Sequence, residues 1–231
     1  MHLRVHGGTK HAAEHLTELV VERLVALSDH LYLPEFSLFA FVSWEFLLRC
    51  QSEAIPLCSG TAQDATFLHP DRHSGVWLDG NGTLCLRLQR RKNRPQGSLL
   101  MRPCVCATKA QMFCVVCRLK ARLRLRTAPA RLWEFTPDGA LRQLRRLLQL
   151  LEVPRSQSYT LKAFRAGKAT ALATAGKSLG TILSAGEWRS AAFLSYVNED
   201  AVDRAQILDA TLAASDDDAE EVAPAAASTP Q

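Results

Sequence analysis

A chain of 231 residues, 47% hydrophobic and 22% charged, has the balance of a globular protein with a buried core. It holds no uncharged apolar run of about 18 residues. Met1 to Lys10 mixes His, Arg, Gly and Lys where a secretory peptide would carry an apolar stretch, so the expectation is an intracellular protein with no membrane span. The formal charge is +5, and because Asp216, Asp217, Asp218, Glu220 and Glu221 lie near the C-terminus, the preceding chain stands at about +10.

The elements follow in chain order. Leu16, Leu19, Val20, Leu24 and Leu27 fall at three-and-four spacing, which predicts an amphipathic helix within 9–28. Pro34 suits a first helical position, and Phe36 to Leu48 is apolar on nearly every side, which predicts a buried helix that delivers Arg49 and Glu53 at or just past its end. Val76-Trp77-Leu78, the turn Asp79-Gly80-Asn81-Gly82 and Leu84 to Leu88 read as a hairpin. The basic turn Arg90 to Gly97 then leads to a short strand near Ser98 to Met101, and a small antiparallel sheet is the expected product.

Past a cysteine-rich stretch, a helix from Thr136 or Asp138 to Leu151 carries Leu141, Leu144, Leu147, Leu148 and Leu151, with Pro154 beyond its end. Thr160 to Ala175 is predicted as a helix closed by Gly176, and Ser178 to Ala185 as a shorter one followed by Gly186. Ser190 is the expected N-cap of a last helix with Phe193, Val197, Ala201, Ala205, Leu208 and Leu212 on one stripe. The acidic, Ala/Pro-rich residues 214–231 read as a disordered tail and 1–13 as an N-terminal extension, with one domain over 14–213 that carries a cysteine-rich insert at 102–118. The fold class is α+β, mainly α-helical.

Two signals bear on chemistry before any family is considered. Between Arg87 and Arg146 stand 16 Lys or Arg against two acids, Glu134 and Asp138, a block suited to a polyanion; the alternative is a solvated basic face. Seven cysteines in an intracellular chain point to reduced thiols or metal ligands. Four of them, Cys104-x-Cys106 and Cys114-x-x-Cys117, suit tetrahedral zinc in a structural role, with reduced cysteines flanking a loop as the alternative. Cys50, Cys58 and Cys85 read as ordinary buried residues.

The segment Tyr159-Thr160-Leu161-Lys162-Ala163-Phe164-Arg165-Ala166-Gly167, continuing through Gly186-Glu187-Trp188 to Ser195-Tyr196-Val197, resembles the C-terminal signature of tyrosine recombinases of the phage-integrase type. In that family an H-x-x-R box opens a helix carrying Arg-x-Gly, a short helix leads to a Gly, and the nucleophilic tyrosine follows ten residues after it. Leu47-Leu48-Arg49-Cys50-Gln51-Ser52-Glu53 is similar to the family's first-arginine box, Gly-Leu-Arg-x-x-Glu, with the Gly absent and Glu53 one residue late. Lys92 is similar to its hairpin lysine. The resemblance spans roughly residues 14–209 and implies the catalytic domain alone, as found in mobile elements.

What the resemblance implies is cleavage and rejoining of double-stranded DNA through a covalent 3′-phosphotyrosyl link at Tyr196. Arg49 and Arg165 would hold the nonbridging oxygens, and Lys92 would protonate the departing 5′ oxygen. Copies would assemble on DNA, in the nucleus if the host is a eukaryote. Two catalytic positions depart from the pattern: Lys162 stands where the family has histidine, and Glu187 where it has histidine or tryptophan. A carboxylate there repels phosphate unless an arginine pairs with it or Trp188 takes over the packing. Two rival readings are therefore kept, a catalytically decayed DNA-binding remnant of a mobile element and a zinc-stabilised interaction protein.

Overall fold

The computed structural model describes residues 14–60, 74–89, 91, 96–108, 110–124 and 130–188. The predicted last helix, the tail and the extension 1–13 lie outside them. Among the described residues no helix is long and apolar enough to cross a membrane. The class is α+β, with six α-helices and a four-stranded sheet among the described residues.

Helix α1 (Glu18–His30) begins where the Thr17 hydroxyl accepts from the Val20 N–H. Its inward face is Val21, Leu24, Val25 and Ser28, while Leu19, predicted to point inward, is 64% exposed. The reason is the late start. Leu16 precedes the helix and is buried as extended chain, so the stripe begins at Val21 instead of being set by Leu16.

Helix α2 (Pro34–Glu45) is the centre of the molecule, with every residue from Phe36 to Trp44 buried. The Phe39 ring meets Phe135, Trp133 and Phe164 nearly edge-on, at centroid distances of 4.9, 5.5 and 6.2 Å. Helix α5 (Lys162–Thr174) crosses α2 closely because of Gly167, where an added Cβ would collide with the Leu16 carbonyl oxygen and the Trp44 ring. That close approach is the physical reason for glycine two residues after Arg165.

Strands β1 (Leu57–Ser59), β2 (Ser74–Leu78), β3 (Leu84–Leu88) and β4 (Ser98–Arg102) pair in that order. The β2–β3 hairpin and β4 are as predicted, with Trp77 opposite Cys85 and Cys85 opposite Met101. The sheet is not purely antiparallel. β1 adds in parallel to β2, and its three buried residues are too few to show a period. Helix α3 (Val115–Arg124), which the sequence reading left unassigned, buries Val115, Val116 and Leu119 against the core.

Helix α4 (Pro137–Leu150) has Thr136 as N-cap to Gly139 and buries Ala140, Leu144, Leu147 and Leu148. Helices α5 and α6 (Leu179–Gly186) both end in the same way. After α5 the left-handed residue is Gly176, and the Lys177 N–H reaches back to the Leu172 carbonyl. After α6 the left-handed residue is Glu187, with φ 51°, and the Trp188 N–H reaches back to Leu183. Sequence reading placed a glycine at the end of each helix; at α6 the glycine is one residue early, packed where a Cβ would strike the Trp188 ring.

Candidate active site

The site is built where α2 ends. Leu47 takes a left-handed backbone (φ 48°), and the chain then enters a π-turn over Cys50–Ala54, with the Ala54 N–H on the Arg49 carbonyl and the Ile55 N–H on that of Cys50. The turn returns Glu53 to Arg49. The Trp133 indole N–H fixes the turn from below, 3.1 Å from the carbonyls of both Ala54 and Ile55.

The Glu53 carboxylate is 1% exposed. Its Oε1 accepts from Arg49 Nη1 (2.7 Å) and Arg91 Nε (3.2 Å), and its Oε2 from the Arg49 backbone N–H (2.8 Å) and Arg91 Nη2 (3.1 Å). Arg165 Nη1 lies 3.8 Å from the same oxygen. Burial pushes this carboxyl's pKa up, but Arg91, the Arg49 backbone and Arg165 together outweigh burial and hold it below the usual carboxylate range.

Arg165 is buried at the second turn of α5. Its Nη2 donates to the Gly186 carbonyl (2.8 Å), and the guanidinium stacks over the Trp188 ring at 4.5 Å. Trp188, expected as packing, is 5% exposed and closes a small apolar cluster with Leu47, Ala169, Ala173 and Ile182. Glu187 does not face the cations of the cleft unpaired. Its Oε2 accepts from Arg91 Nη1 at 2.8 Å.

Arg49, Lys162 and Arg165 line one cleft of about 410 Å³, together with Asp138, Thr160 and Ser52. Arg49 keeps 24% of its side chain exposed, and Lys162 at the first position of α5 is exposed. Pro137 and Asp138 bring the N-terminus of α4 to the same cleft that receives the start of α5, adding the positive ends of two helix dipoles. The cleft sets the cationic side chains of Arg49, Lys162 and Arg165 around one space, an arrangement that can attract an anion.

The structure thus brings together five of the residues named from the sequence: Arg49, Glu53, Arg165 and Glu187 in one network, with Lys162 at its mouth. Lys92 and Tyr196 lie outside the described residues. The residue that sequence reasoning passed over is Arg91, set aside in favour of Lys92. Its partners are 38 and 96 positions away, and no local spacing signals them. The basic stretch is also not one free face, since Arg91, Arg102, Arg118, Arg122 and Arg145 all donate to protein partners. Arg124, Arg142 and Arg146 are exposed.

A second assembly joins the end of β4 to the start of α3. The sulfurs of Cys104, Cys106, Cys114 and Cys117 all lie within 4.8 Å of one another, with 3.7 Å for Cys104–Cys117, 3.4 Å for Cys106–Cys117 and 3.7 Å for Cys104–Cys114. These spacings exceed the disulfide length of about 2.05 Å. They approach the edge, roughly 3.8 Å, of a tetrahedron with Zn–S bonds of about 2.3 Å. Burial pushes the Cys114 thiol up, yet backbone groups at Val105 and Cys117 and the thiols of Cys104 and Cys106 bring it down to about 7, while the Cys106 thiol is driven up by Cys117 and Cys104. The four cysteines can hold a structural metal such as zinc. Cys50, Cys58 and Cys85 are buried, as expected. No protein-family model matches the chain, and no curated protein sequence matches it.

Proposed function

We propose that the chain cleaves and rejoins duplex DNA through a tyrosine nucleophile, as the resemblance to tyrosine recombinases implies. The observation that carries the reading is the convergence of Arg49, Arg165 and Lys162 on one cleft, with the two arginines joined through buried Glu53. Phosphodiester transfer adds negative charge to the nonbridging oxygens, and guanidinium groups held in place before reaction stabilise that charge without reorganising. In the reaction the Tyr196 hydroxyl gives up its proton to solvent as its oxygen bonds to phosphorus and the bond to the 5′ oxygen breaks, and Lys92 gives that 5′ oxygen a proton. The reverse step restores the DNA. Lys162 serves as a cation on the phosphate.

The cysteine cluster takes one zinc ion in a purely structural role. An all-thiolate shell leaves no position for substrate, and the ion ties β4 to α3. The second reading, a DNA-binding remnant without cleavage, draws on Lys162 and Glu187; the Arg91–Glu187 pair removes much of its force, because the carboxylate is neutralised.

A suicide DNA duplex that loses its 5′ fragment tests the proposal. Wild type should give a denaturation-resistant adduct through the 3′ phosphate. Tyr196→Phe should bind DNA and give none, and Arg165→Ala should lower adduct formation by about a hundred- to a thousandfold, the usual cost of one transition-state donor. Salt-dependent DNA binding with no adduct from wild type supports the remnant. An adduct undiminished in Tyr196→Phe sinks the nucleophile assignment, and no salt-dependent binding at all sinks both readings.

A further inference from the structure

The same helix-ending motif occurs five times among the described residues, with Tyr32, Leu47, Glu152, Gly176 and Glu187 at its left-handed position. Glycine is the residue the geometry favours, and Tyr32 and Glu152 hold the position as exposed residues, whereas the Glu187 side chain is only 8% exposed and makes a charged contact. That contact is Arg91. The Arg91 side chain is 2% exposed, and all three of its nitrogens are committed: Nε and Nη2 to Glu53, Nη1 to Glu187, with Nη2 also 3.5 Å from the carbonyl of Leu47. Leu47 and Glu187, both left-handed and neither glycine, thus flank one guanidinium.

Arg91 is buried and does not line the cleft, so it is not placed to touch a substrate there. Its two carboxylates act on the neighbouring arginines instead: Glu53 holds Arg49 and Arg165, and Glu187 follows the Gly186 carbonyl to which Arg165 donates. Three arginines against two glutamates leave the network with one net positive charge. Removing Arg91 alone brings it to zero, and removing Arg91 and Glu187 together restores the surplus.

We infer that Arg91 and Glu187 are a charge-matched pair, in which Arg91 is a positioning residue that neutralises Glu187 and keeps the Arg49–Arg165 cleft electropositive toward a DNA phosphate. The inference rests on the reading of that cleft as a DNA phosphate site, and it accounts for the glutamate that departs from the recombinase pattern.

The test measures binding of the full chain to a short DNA duplex at several salt concentrations for wild type, Arg91→Gln, Glu187→Gln and the double variant, with thermal melting to confirm folding. Arg91→Gln should weaken binding about tenfold and flatten the salt slope. Glu187→Gln should bind about two- to threefold more tightly than wild type, and the double variant should return to within about threefold of wild type. A merely structural role predicts that the two losses add, so a double variant as weak as Arg91→Gln, or weaker, overturns the inference. Where Arg91→Gln does not fold, Glu187→Gln decides: binding unchanged or weakened overturns it. If wild type shows no salt-dependent duplex binding, the DNA reading itself falls and takes this inference with it, whereas binding without rescue removes the inference alone.

Discussion

The charge network around Glu53 and the cysteine cluster around Cys117 differ in how they are held. Glu53 draws partners from 38 residues away, and through Arg91 the network extends to Glu187, 96 residues from that arginine. Core residues wall it in: Trp133 clamps the turn, and Leu47, Ile182 and Trp188 pack beside it. The four cysteines come from one short stretch, and two of them, Cys104 and Cys106, are exposed. Contacts between thiols are weak, so packing holds Cys114 and, in part, Cys117, while exposed Cys104 and Cys106 lack the hold that packing gives the first cluster. One assembly is walled in by the core; in the other a bound ion would tie the exposed pair to buried Cys114.

The largest effect should therefore follow metal removal. Purified protein should carry about one zinc ion per chain by elemental analysis, and structural zinc sites in small peptides contribute on the order of 10–16 kcal/mol apparent binding energy at neutral pH. Cys114→Ser with Cys117→Ser should release the ion. Amide exchange should then rise sharply over 103–117 and much less in α5, because α3 keeps its own core contacts through Val115, Val116 and Leu119. Equal loosening of both regions would erase the contrast between the clusters.

Glu53→Gln comes next. It keeps the shape but leaves three arginines facing one another without their shared anion, and breaking a buried ion pair by removing one partner typically costs about 3–5 kcal/mol. Chemical denaturation should show that loss as a shifted midpoint with unchanged slope. A change below about 1 kcal/mol would mean that the network behaves like an exposed one.

The pH dependence sharpens the same point. Glu53 titrates below its ordinary value in the folded protein, so its contribution is fully present above the unfolded carboxylate pKa and is lost as pH falls through the lower folded one. Stability measured from neutral pH downward should decline in that acidic window. In Glu53→Gln the decline should be smaller by the share this group supplies, and an identical acid limb in wild type and variant would remove Glu53 as its source.

The two clusters also differ in how readily sequence revealed them. The cysteines announce themselves by spacing, because their ligand set is local. Arg165 was singled out through a forty-residue pattern and Arg49 through a separate short box, and the π-turn that returns Glu53 to Arg49 was invisible, since an i→i+5 turn has no local signal. Arg91 carried no signal because its meaning depends on partners brought in by the tertiary fold. Helices α4, α5 and α6 were legible from apolar period and caps such as Thr136 and Ser178. β1 was too short to show alternation, and α3 hid behind the cysteines.

The smallest expected effect concerns the clasp between α3 and the helices above it. Arg118 donates to both oxygens of Asp29 (2.7 and 2.9 Å) and to the Ser37 hydroxyl, while Arg122 pairs with Glu35. The side chains of Arg118 and Asp29 are 17% and 37% exposed, so water and salt screen the pair, and exposed ion pairs are usually worth about 0.2–1 kcal/mol. Burial raises the Asp29 carboxyl, but Arg118 and Ser37 outweigh it and hold it below its ordinary value, which favours the paired form at neutral pH. Arg118→Ala should therefore cost less than about 1 kcal/mol at moderate salt, and the cost should shrink further as salt is raised. It should leave zinc content unchanged, since Cys114 and Cys117 are positioned by the apolar side of α3. Were Arg118→Ala instead to lose the metal, the clasp and the cysteine cluster would be one cooperative unit, and the division between a region held by packing and a region held by an ion would have to be redrawn around α3.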